Sequence, residues 1–477
     1  MPSFVDLDGL RTFKEHLNLS GTGGGLLPIV KVTSETGNTV TMSKDDVTLT
    51  ATEDNGTWEF NVPSYGDWTI TATDSVNNLT RTKTVTVDAV KLYEISCNAI
   101  VRYGYRISKT ESDPYKSVEY ILDAEGMTPA HMDFVNETFD YGSWQDVWFV
   151  KDNKPCAINN RGEIEFYLDP NDYNYNEDGE PLYIEEIVGA YYMAQFPLVW
   201  VYRYEDDDYY YEIVAKYQPN ENYKAYAHTD ANGDIQDYFY HSLFPASIYN
   251  DTAITEFNST PAGNLTAAQQ LSSLQSLGTN WRLTSWSQYQ LIRTLLILIG
   301  KSTDTQAVFG NGNEDGELLP TGALADKGQF FGYNDFTHQV KVFHVEDFWG
   351  NYWIRLEGLL KQGNAIFYKM TPDYSFTDKT IYRSFGVPLS TISASPINAM
   401  FVNNNWGMFP VQATGSTSNY FCDLLWWTST SGLRSANLVG RKGNRYSQTG
   451  GAGVFALDIS NTPNYTADDL GFFISYV

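Results

Sequence analysis

The chain has 477 residues, of which 42% are hydrophobic, enough to form a large core and more than one domain. Its 58 acidic and 31 basic residues give a net charge of −27, which argues against nucleic acid as a partner, because proteins that bind nucleic acid carry basic surfaces. The charge is uneven, since residues 93–240 hold 29 acidic and 10 basic residues. Membrane insertion is not expected either, because the most apolar stretch, Leu291–Gly300, is too short to cross a bilayer and contains Arg293.

Aromatic residues make up 15% of the chain, with 34 Tyr, 26 Phe and 12 Trp. Tyr and Trp provide large, rigid contact areas, so this share is typical of a binding surface. A large core rich in strands would use the same residues, and composition alone does not separate the two explanations. The three cysteines, Cys97, Cys156 and Cys422, show no CxxC spacing, which leaves room for one disulfide and predicts no zinc site.

The N-terminal segment divides into a helix and a linker. Leu10, Phe13 and Leu17 recur at helical spacing, which predicts an amphipathic helix over residues 4–19. A helix of this length needs a partner to be stable, and the glycine-rich run Ser20–Gly25 separates it from the rest of the chain. We therefore expect residues 1–25 to dock on a larger assembly. The alternative is that the helix packs on the domain that follows. The first residues contain neither the basic nor the apolar stretch of a secretory signal.

Residues 26–92 have the pattern of a small all-β sandwich. Short alternating runs are separated by turn residues such as Asp54-Asn55-Gly56. The stretch NGTWEFNVPSYGDWTITATD resembles the Ig-like modules of phage and bacterial surface proteins, which serve as spacers. The predicted strands are Ile29–Thr33, Val47–Thr52, Thr57–Val62, Trp68–Thr73 and Thr82–Val87.

The remaining residues, 93–477, form the third predicted domain, with an α+β pattern. Helices are predicted over 265–277 and 283–299, and the second is apolar almost all round, which predicts a buried helix. Two acidic loops, Asn176–Glu180 and Glu205–Asp208, offer carboxylates that could bind structural calcium, although neither has the EF-hand spacing. We expect solvated loops there, and no cofactor.

Several segments of the third domain resemble the C-terminal domain of gut-phage tail and fibre proteins. The resemblance follows the chain in order over roughly residues 93–477. It implies a C-type-lectin-like domain of the formylglycine-generating-enzyme subtype. The segments are VEYILDAEGMTPAHM (118–132), VKDNKPCAINNRGEIEFYLDPNDY (150–173), KSTDTQAVFGNG (301–312), TGALADKGQFFGYND (321–335), VKVFHVEDFWGNYWIRLEG (340–358) and the closing YFCDLLWW…SANLVGRKGN…GGAGVFALDIS.

The resemblance implies a bacteriophage virion protein that attaches to the host through a lectin-like face. It also implies a homo-oligomer, with a trimer expected for a fibre, that contacts other virion proteins through its N-terminal helix. A host-surface glycan or protein is the expected ligand, and the virion is the expected location. Assembly in the host cytoplasm followed by lysis would explain an extracellular surface without an export signal. The alternatives are a structural decoration of the head or tail and a glycan-cleaving tail enzyme.

No catalytic motif stands out in the sequence, so we expect no enzymatic activity. The oxidases with the implied fold use a pair of cysteines near the C-terminus, whereas this chain has only Cys422 there, in an apolar run. Glu346 and Asp347 could form the carboxylate pair of a glycosidase. Their place inside the VEDFWGN segment favours a structural role, in which Asp347 fastens a turn near Gly350.

Loops near the C-terminus are the predicted ligand face, because C-type-lectin-like folds keep their core strands fixed and vary these loops. Phe421, Leu424 and Leu438 are expected in the core. A second candidate segment is Asn403-Asn404-Asn405-Trp406. The alternative is that Trp426 and Trp427 are both core residues and that the arginines only balance the acidic middle of the chain. The residues predicted to bind ligand, flanked by Ser, Thr and Gly or placed in the second segment, are Trp427, Arg434, Arg441, Asn444, Arg445, Tyr446 and Trp406.

Overall fold

A computed structural model describes residues 27–182, 190–385, 395–428, 431–438 and 451–477. Strands make up 39% and helices 9%, so the protein is mostly β, with many separate sheets. Internal contacts divide the chain into two compact units, an N-terminal unit that ends at Val101 and a C-terminal unit, Arg102–Val477. The predicted helix over residues 4–19 and its linker lie outside the described residues.

The N-terminal unit is built from two sheets. Strands β3, β2, β5 and β6 form one sheet in that order, and β4, β1 and β7 form the other, in which β1 and β7 run parallel. Because β7 pairs with β1, the unit continues beyond residue 92, where the sequence pattern places the boundary. The strands are β1 (Ile29–Thr33), β2 (Thr39–Lys44), β3 (Val47–Thr50), β4 (Thr57–Asn61), β5 (Gly66–Asp74), β6 (Leu79–Val87) and β7 (Leu92–Ser96).

Alternation of buried and exposed residues explains these strands. In β4, Trp58 and Phe60 are buried while their neighbours are exposed, and β5 buries Trp68 and Ile70 in the same way. Side chains from both sheets join one hydrophobic cluster, so the two sheets share a core. The five strands predicted in this region are all present within a few residues, and Thr39–Lys44 and Leu92–Ser96 are additional.

The C-terminal unit contains twenty-seven strands among the residues that the structure describes. The first fourteen are β8 (Arg102–Ser108), β9 (Val118–Leu122), β10 (His131–Asp133), β11 (Thr138–Asp140), β12 (Lys154–Ile158), β13 (Ile164–Tyr167), β14 (Tyr191–Pro197), β15 (Trp200–Glu205), β16 (Tyr209–Ala215), β17 (Tyr238–Ser242), β18 (Ser247–Tyr249), β19 (Thr252–Ile254), β20 (Trp281–Leu283) and β21 (Phe331–Gly332). The others are β22 (Val340–Val342), β23 (Val345–Glu346), β24 (Trp353–Gln362), β25 (Ala365–Tyr368), β26 (Arg383–Phe385), β27 (Ser395–Pro396), β28 (Ala399–Asn403), β29 (Gly407–Gln412), β30 (Leu424–Trp426), β31 (Leu433–Leu438), β32 (Leu457–Asp458), β33 (Leu470–Gly471) and β34 (Ile474–Tyr476).

Three larger sheets organise this unit. A six-stranded sheet has the order β13-β12-β14-β17-β34-β20, so the last strand of the chain lies inside it. A four-stranded sheet has the order β15-β16-β8-β9. The eight-stranded sheet runs β26-β25-β24-β31-β32-β30-β27, with β33 also paired to β24. Smaller sheets are β21-β22-β23 and the hairpins β10-β11, β18-β19 and β28-β29.

The described part of the C-terminal unit contains four α-helices: α1 (Trp148–Lys151), α2 (Ala267–Gln275), α3 (Trp286–Gly300) and α4 (Thr305–Phe309). Short 3₁₀ turns occupy Tyr226–His228 and Lys379–Ile381. Every residue of α3 is buried, as its apolar sequence predicts. Ser285 and Gln288 form a capping box at its start, and Lys301 ends it in the left-handed conformation, with a φ of 51°.

Among the described helices, none is both long enough and apolar enough to cross a bilayer.

Candidate functional site

Four tyrosines lie on the outer face of the four-stranded sheet and are called the tyrosine row: Tyr202 and Tyr204 on β15, and Tyr209 and Tyr211 on β16. Because side chains alternate along a strand, residues two apart share a face. The intervening residues Arg203, Tyr210 and Glu212 are buried on the other side, so all four tyrosines are held outward and are only half-buried.

The rings of the row pack against one another. Tyr204 lies opposite Tyr211 in the antiparallel register, and their rings stack with centroids 4.4 Å apart and planes 5° from parallel. Tyr202 stacks on Tyr204 at 4.9 Å, and the Arg106 guanidinium lies 4.1 Å from the centre of the Tyr209 ring. Ring faces are therefore occupied within the row, which offers ring edges and phenol hydroxyls outward. Since the rings are already ordered, a ligand would lose little free energy in fixing them.

A cavity of about 550 Å³, called the tyrosine groove, lies between β15 and the tip of the β28-β29 hairpin. Asn404 fixes this arrangement, because its Oδ1 accepts a hydrogen bond from the Arg203 backbone at 3.1 Å and its Nδ2 donates to the Asn222 carbonyl. Asn405 is exposed at the hairpin tip, where its backbone donates to the Asn403 side chain. The lining residues are Tyr202, Arg203, Tyr204, Glu205, Glu221, Asn222, Lys224, Phe401, Val402, Asn403, Asn404 and Asn405.

Trp406, predicted from the sequence to contact ligand, supports the hairpin instead of lining the groove. Its ring stacks on Phe385 at 4.9 Å and packs against Tyr368 and Phe401. Its backbone carbonyl accepts a 2.6 Å hydrogen bond from the Trp286 indole at the start of α3. The indole nitrogen of Trp406 is enclosed, so the residue holds the hairpin tip in place but does not offer this donor to a ligand.

Directly behind the tyrosine row, a buried ion network ties the sheet to α3. Glu212 on β16 is 2.6 Å from Arg203 of the neighbouring strand and 2.6 Å from Arg293 of α3, and all three side chains are at most 5% exposed. Tyr105 on β8 also hydrogen-bonds to this carboxylate. Burial raises the pKa of Glu212, but the two arginines and these hydrogen bonds outweigh it and lower the pKa to about 2. This buried network therefore anchors the strands that carry the tyrosine row.

Three charged side chains near the groove, Glu205, Lys224 and Asp206, already have a polar partner. Glu205 lies 3.0 Å from the Lys109 ammonium, and Lys224 donates to the Glu221 carbonyl at 2.6 Å. At the turn between β15 and β16, Asp206 accepts from the Tyr211 hydroxyl at 2.8 Å, which is the main reason that its pKa lies below the ordinary value. The acidic run that begins with Asp206 borders the row, so neutral ligands are favoured over polyanions.

Trp427 is not on the surface, and this expectation from the sequence was wrong. The residue is 5% exposed and belongs to the main hydrophobic cluster, with the Lys361 ammonium 4.3 Å from its ring centre. Trp426, before it, is also 5% exposed and joins a separate cluster with Leu424. The strand that ends at Trp426 is packed on both faces. Successive side chains point to opposite faces, so the two tryptophans enter different clusters and both are buried. The alternative that both are core residues is confirmed.

The other residues of the predicted C-terminal face have different outcomes. Arg434 is half-buried on β31, paired in register with Lys361. Phe421 and Leu424 are buried, as predicted. The remaining predicted ligand residues, together with the side chain of Leu438, lie outside the described part of the chain: Arg441, Asn444, Arg445 and Tyr446.

Glu346 and Asp347, the possible glycosidase pair, are both fully enclosed. Glu346 accepts backbone hydrogen bonds from Gly322 at 2.8 Å and from Leu324 at 3.0 Å. Asp347 accepts from the Asn351 amide at 2.7 Å, and burial together with the charge of Glu346 raises its pKa far above the ordinary value. These carboxyl groups fasten two loops, which agrees with the structural role that the sequence favours.

No group of three or more potential metal ligands occurs among the residues that the structure describes, a set that includes both acidic loops considered for calcium. Cys97, Cys156 and Cys422 are buried free thiols. Burial is the main cause that raises the pKa of each thiol, which makes them poor nucleophiles.

The tyrosine row itself was not predicted. Its signal is nevertheless present in the sequence, because WVYRYEDDDYYYE places tyrosines two apart on both sides of an acidic turn. This pattern would indicate a hairpin with one tyrosine face.

No family model and no curated protein matches this chain.

Proposed function

We propose that this chain is an attachment protein of a tailed-phage virion, and that its C-terminal unit binds a neutral host-surface polysaccharide in the tyrosine groove. The tyrosine row beside the asparagine-rich hairpin tip carries this proposal. The sequence resemblance to gut-phage fibre proteins supports the virion assignment. The same resemblance supports a C-type-lectin-like fold for the C-terminal unit and an Ig-like spacer for the N-terminal unit.

The chemistry of the groove suits an uncharged glycan. Sugars present many hydroxyl groups, and the groove offers the side-chain amides of Asn403 and Asn405 together with the phenol hydroxyls of Tyr202 and Tyr204. Ring edges supply apolar contact to the sugar C–H groups. The buried network on Glu212 fixes Arg203 and thereby the strand that carries Tyr202 and Tyr204, so the binding surface is formed before the ligand arrives.

Binding is favoured over cleavage because a glycosidase needs two carboxyl groups that its polymer can reach. Glu346 and Asp347 are enclosed. Two carboxyl groups, Glu205 and Glu221, line the groove, but Glu205 is already paired with Lys109. Oligomerisation and docking through residues 1–25 belong to the same proposal. They rest on the sequence resemblance and the predicted helix.

The test measures binding of the full chain to an array of neutral and acidic bacterial capsular and O-antigen polysaccharides. We expect saturable binding to a neutral polysaccharide. Tyr204→Ala should weaken it about tenfold or more, because tyrosines at the centre of an interface often dominate affinity. Tyr249→Ala is the matched control, since that tyrosine is 65% exposed and lies outside the groove.

Three outcomes would overturn the proposal. Binding to no polysaccharide would favour a structural decoration protein. Equal binding by wild type and Tyr204→Ala would place the ligand elsewhere on the molecule. Release of reducing sugar from a bound polysaccharide would show a glycan-cleaving enzyme, and assays of the same samples would detect it.

A further inference from the structure

A second cavity of about 480 Å³ opens beside α1 and the β12-β13 hairpin and is called the β12 pocket. It shares no lining residue with the tyrosine groove. Its size is within the range of small-ligand sites and would admit one or two sugar rings.

The floor of the β12 pocket is polar and fixed. Asn153, Gln329 and His344 line it and are 3%, 7% and 1% exposed. The Asn153 amide donates to the Gln195 carbonyl at 3.0 Å, and the His344 ring is hydrogen-bonded to the Tyr173 hydroxyl at 2.8 Å. Burial holds the pKa of His344 well below its ordinary value, so the ring is neutral.

The side-chain oxygen of Gln329 can accept a hydrogen bond from a ligand. Its Nε2 donates to the Val150 carbonyl and to Asn153 Oδ1, both at 2.9 Å, which uses both amide hydrogens. Its Oε1 has no hydrogen-bond partner among the residues that the structure describes. This oxygen is not one of the fully enclosed polar atoms that lack a partner, so it is reached from the pocket, where a ligand hydroxyl can donate a hydrogen bond to it.

The walls of the pocket contain two tyrosines and a lysine. Tyr141 and Tyr167 line the pocket, and the Lys154 ammonium lies 4.9 Å from the centre of the Tyr167 ring. Lys154 forms no ion pair with any residue in the described part of the chain. By contrast, Lys151 on the rim is 3.8 Å from Asp146. Glu177 also lies on the rim, and its negative charge offsets the positive charge of Lys154. The lining is therefore close to neutral, although the whole protein is strongly acidic.

We propose that the β12 pocket binds a sugar residue that carries one carboxylate, such as a uronic acid. The ammonium of Lys154 pairs with the carboxylate, the Gln329 Oε1 accepts from a hydroxyl, and the rings of Tyr141 and Tyr167 contact the sugar. A neutral hexose would lack the charged contact, and a polyanion would meet Asp146 and Glu177 on the rim. This site is independent of the neutral polysaccharide proposed for the tyrosine groove.

Calorimetric titration of the full chain with sodium glucuronate and sodium galacturonate tests the proposal, with glucose and sodium acetate as comparison ligands. We expect saturable binding of a uronate, and binding of glucose or acetate weaker by about tenfold or more, because charged hydrogen bonds are the stronger ones. Lys154→Met should remove this advantage. Its side chain is exposed, so the fold should tolerate the change.

Lys116→Met is the matched control, because Lys116 has a side chain 73% exposed and lies outside the pocket. Unchanged uronate binding in Lys154→Met would overturn the site, as would binding lost equally in both variants. Equal affinity for glucuronate and glucose would overturn the carboxylate contact, and the absence of saturable uronate binding would overturn the whole inference. Tyr204→Ala should bind uronate like wild type, which separates this result from failure of the tyrosine groove.

Discussion

Glu212, behind the tyrosine row, and Glu357, on β24, are both at most 1% exposed, yet their carboxyl groups are held in opposite charge states. Burial raises the pKa of both. Around Glu212, Arg293 and Arg203 reverse that effect and bring the pKa to about 2, so the group is charged. Around Glu357, the charge of Arg282 opposes burial only weakly and the pKa is about 8, so the group is protonated at neutral pH.

Hydrogen bonding separates the two sites in the same way. The Glu212 carboxylate accepts from both arginines, from Thr294 at 3.2 Å and from Tyr105. The carboxyl oxygens of Glu357 accept no hydrogen bond of good geometry among the described residues, and the Leu283 backbone offsets burial only in part. Equal burial therefore produces a structural ion in one place and an uncharged acid in the other. The two arginine charges beside Glu212, and after them the hydrogen bonds to its carboxylate, decide between the two states.

The largest expected effect comes from breaking the network behind the tyrosine row. Glu212→Leu would leave Arg203 and Arg293 charged and enclosed without their partner, which should cost about 5 kcal/mol of stability. Urea denaturation followed by tryptophan fluorescence measures the loss. Polysaccharide binding should fall as well, because Arg203 shares its strand with Tyr202 and Tyr204.

The triple change Arg203→Met, Glu212→Leu, Arg293→Met is the control for that experiment. It removes the whole network and so leaves no uncompensated charge, and its stability should recover most of the loss. If the single variant lost less than about 1 kcal/mol, the network would not be the anchor of the sheet.

The second expected effect is a pH dependence from Glu357. Its pKa is 4.5 in a model peptide and about 8 in the fold. Between these values the unfolded chain releases a proton that the folded chain keeps, so stability falls as pH rises from 4.5 to 8. The stability lost in this way amounts to ~4 kcal/mol at pH 8. Glu357→Gln should abolish this slope, and denaturation midpoints at several pH values measure it.

Other buried acids titrate equally in wild type and variant, so the difference between the two curves isolates Glu357. For Glu212, the pH dependence of stability has the opposite sign. Because its folded pKa is lowered, its stabilisation is complete above pH 4.5 and is lost as pH falls towards 2. A difference curve for Glu357→Gln that stays flat between pH 5 and 8 would contradict the assignment of a protonated Glu357.

Local sequence patterns predicted much of the secondary structure. Alternation gave the strands of the N-terminal unit, and the all-round apolar pattern of 283–299 predicted a buried helix, found at Trp286–Gly300. These features depend on neighbours along the chain. They are visible in one sequence because burial follows the period of the element.

The site was harder to predict because it depends on partners distant in sequence. Arg293 lies 81 residues from Glu212 and Asn404 lies 201 residues from Arg203. Polar residues flank Trp427 only on its C-terminal side. Its burial arises from packing against Lys361 and the main core. Pairing across sheets, and not local composition, decides which aromatic residues reach water.

The smallest expected effect concerns a second ion pair, which lies on the outer face of the same sheet and is exposed to water. Arg106 and Glu119 on β8 and β9 are also 2.6 Å apart, but their side chains are 33% and 44% exposed. Water screens this pair, so a double-mutant cycle with Arg106→Met and Glu119→Gln should give a coupling of only ~0.2–1 kcal/mol. The coupling should shrink further in 1 M NaCl. A coupling above about 2 kcal/mol would show that distance alone sets the strength of these pairs, whereas the contrast with Glu212 predicts that burial does.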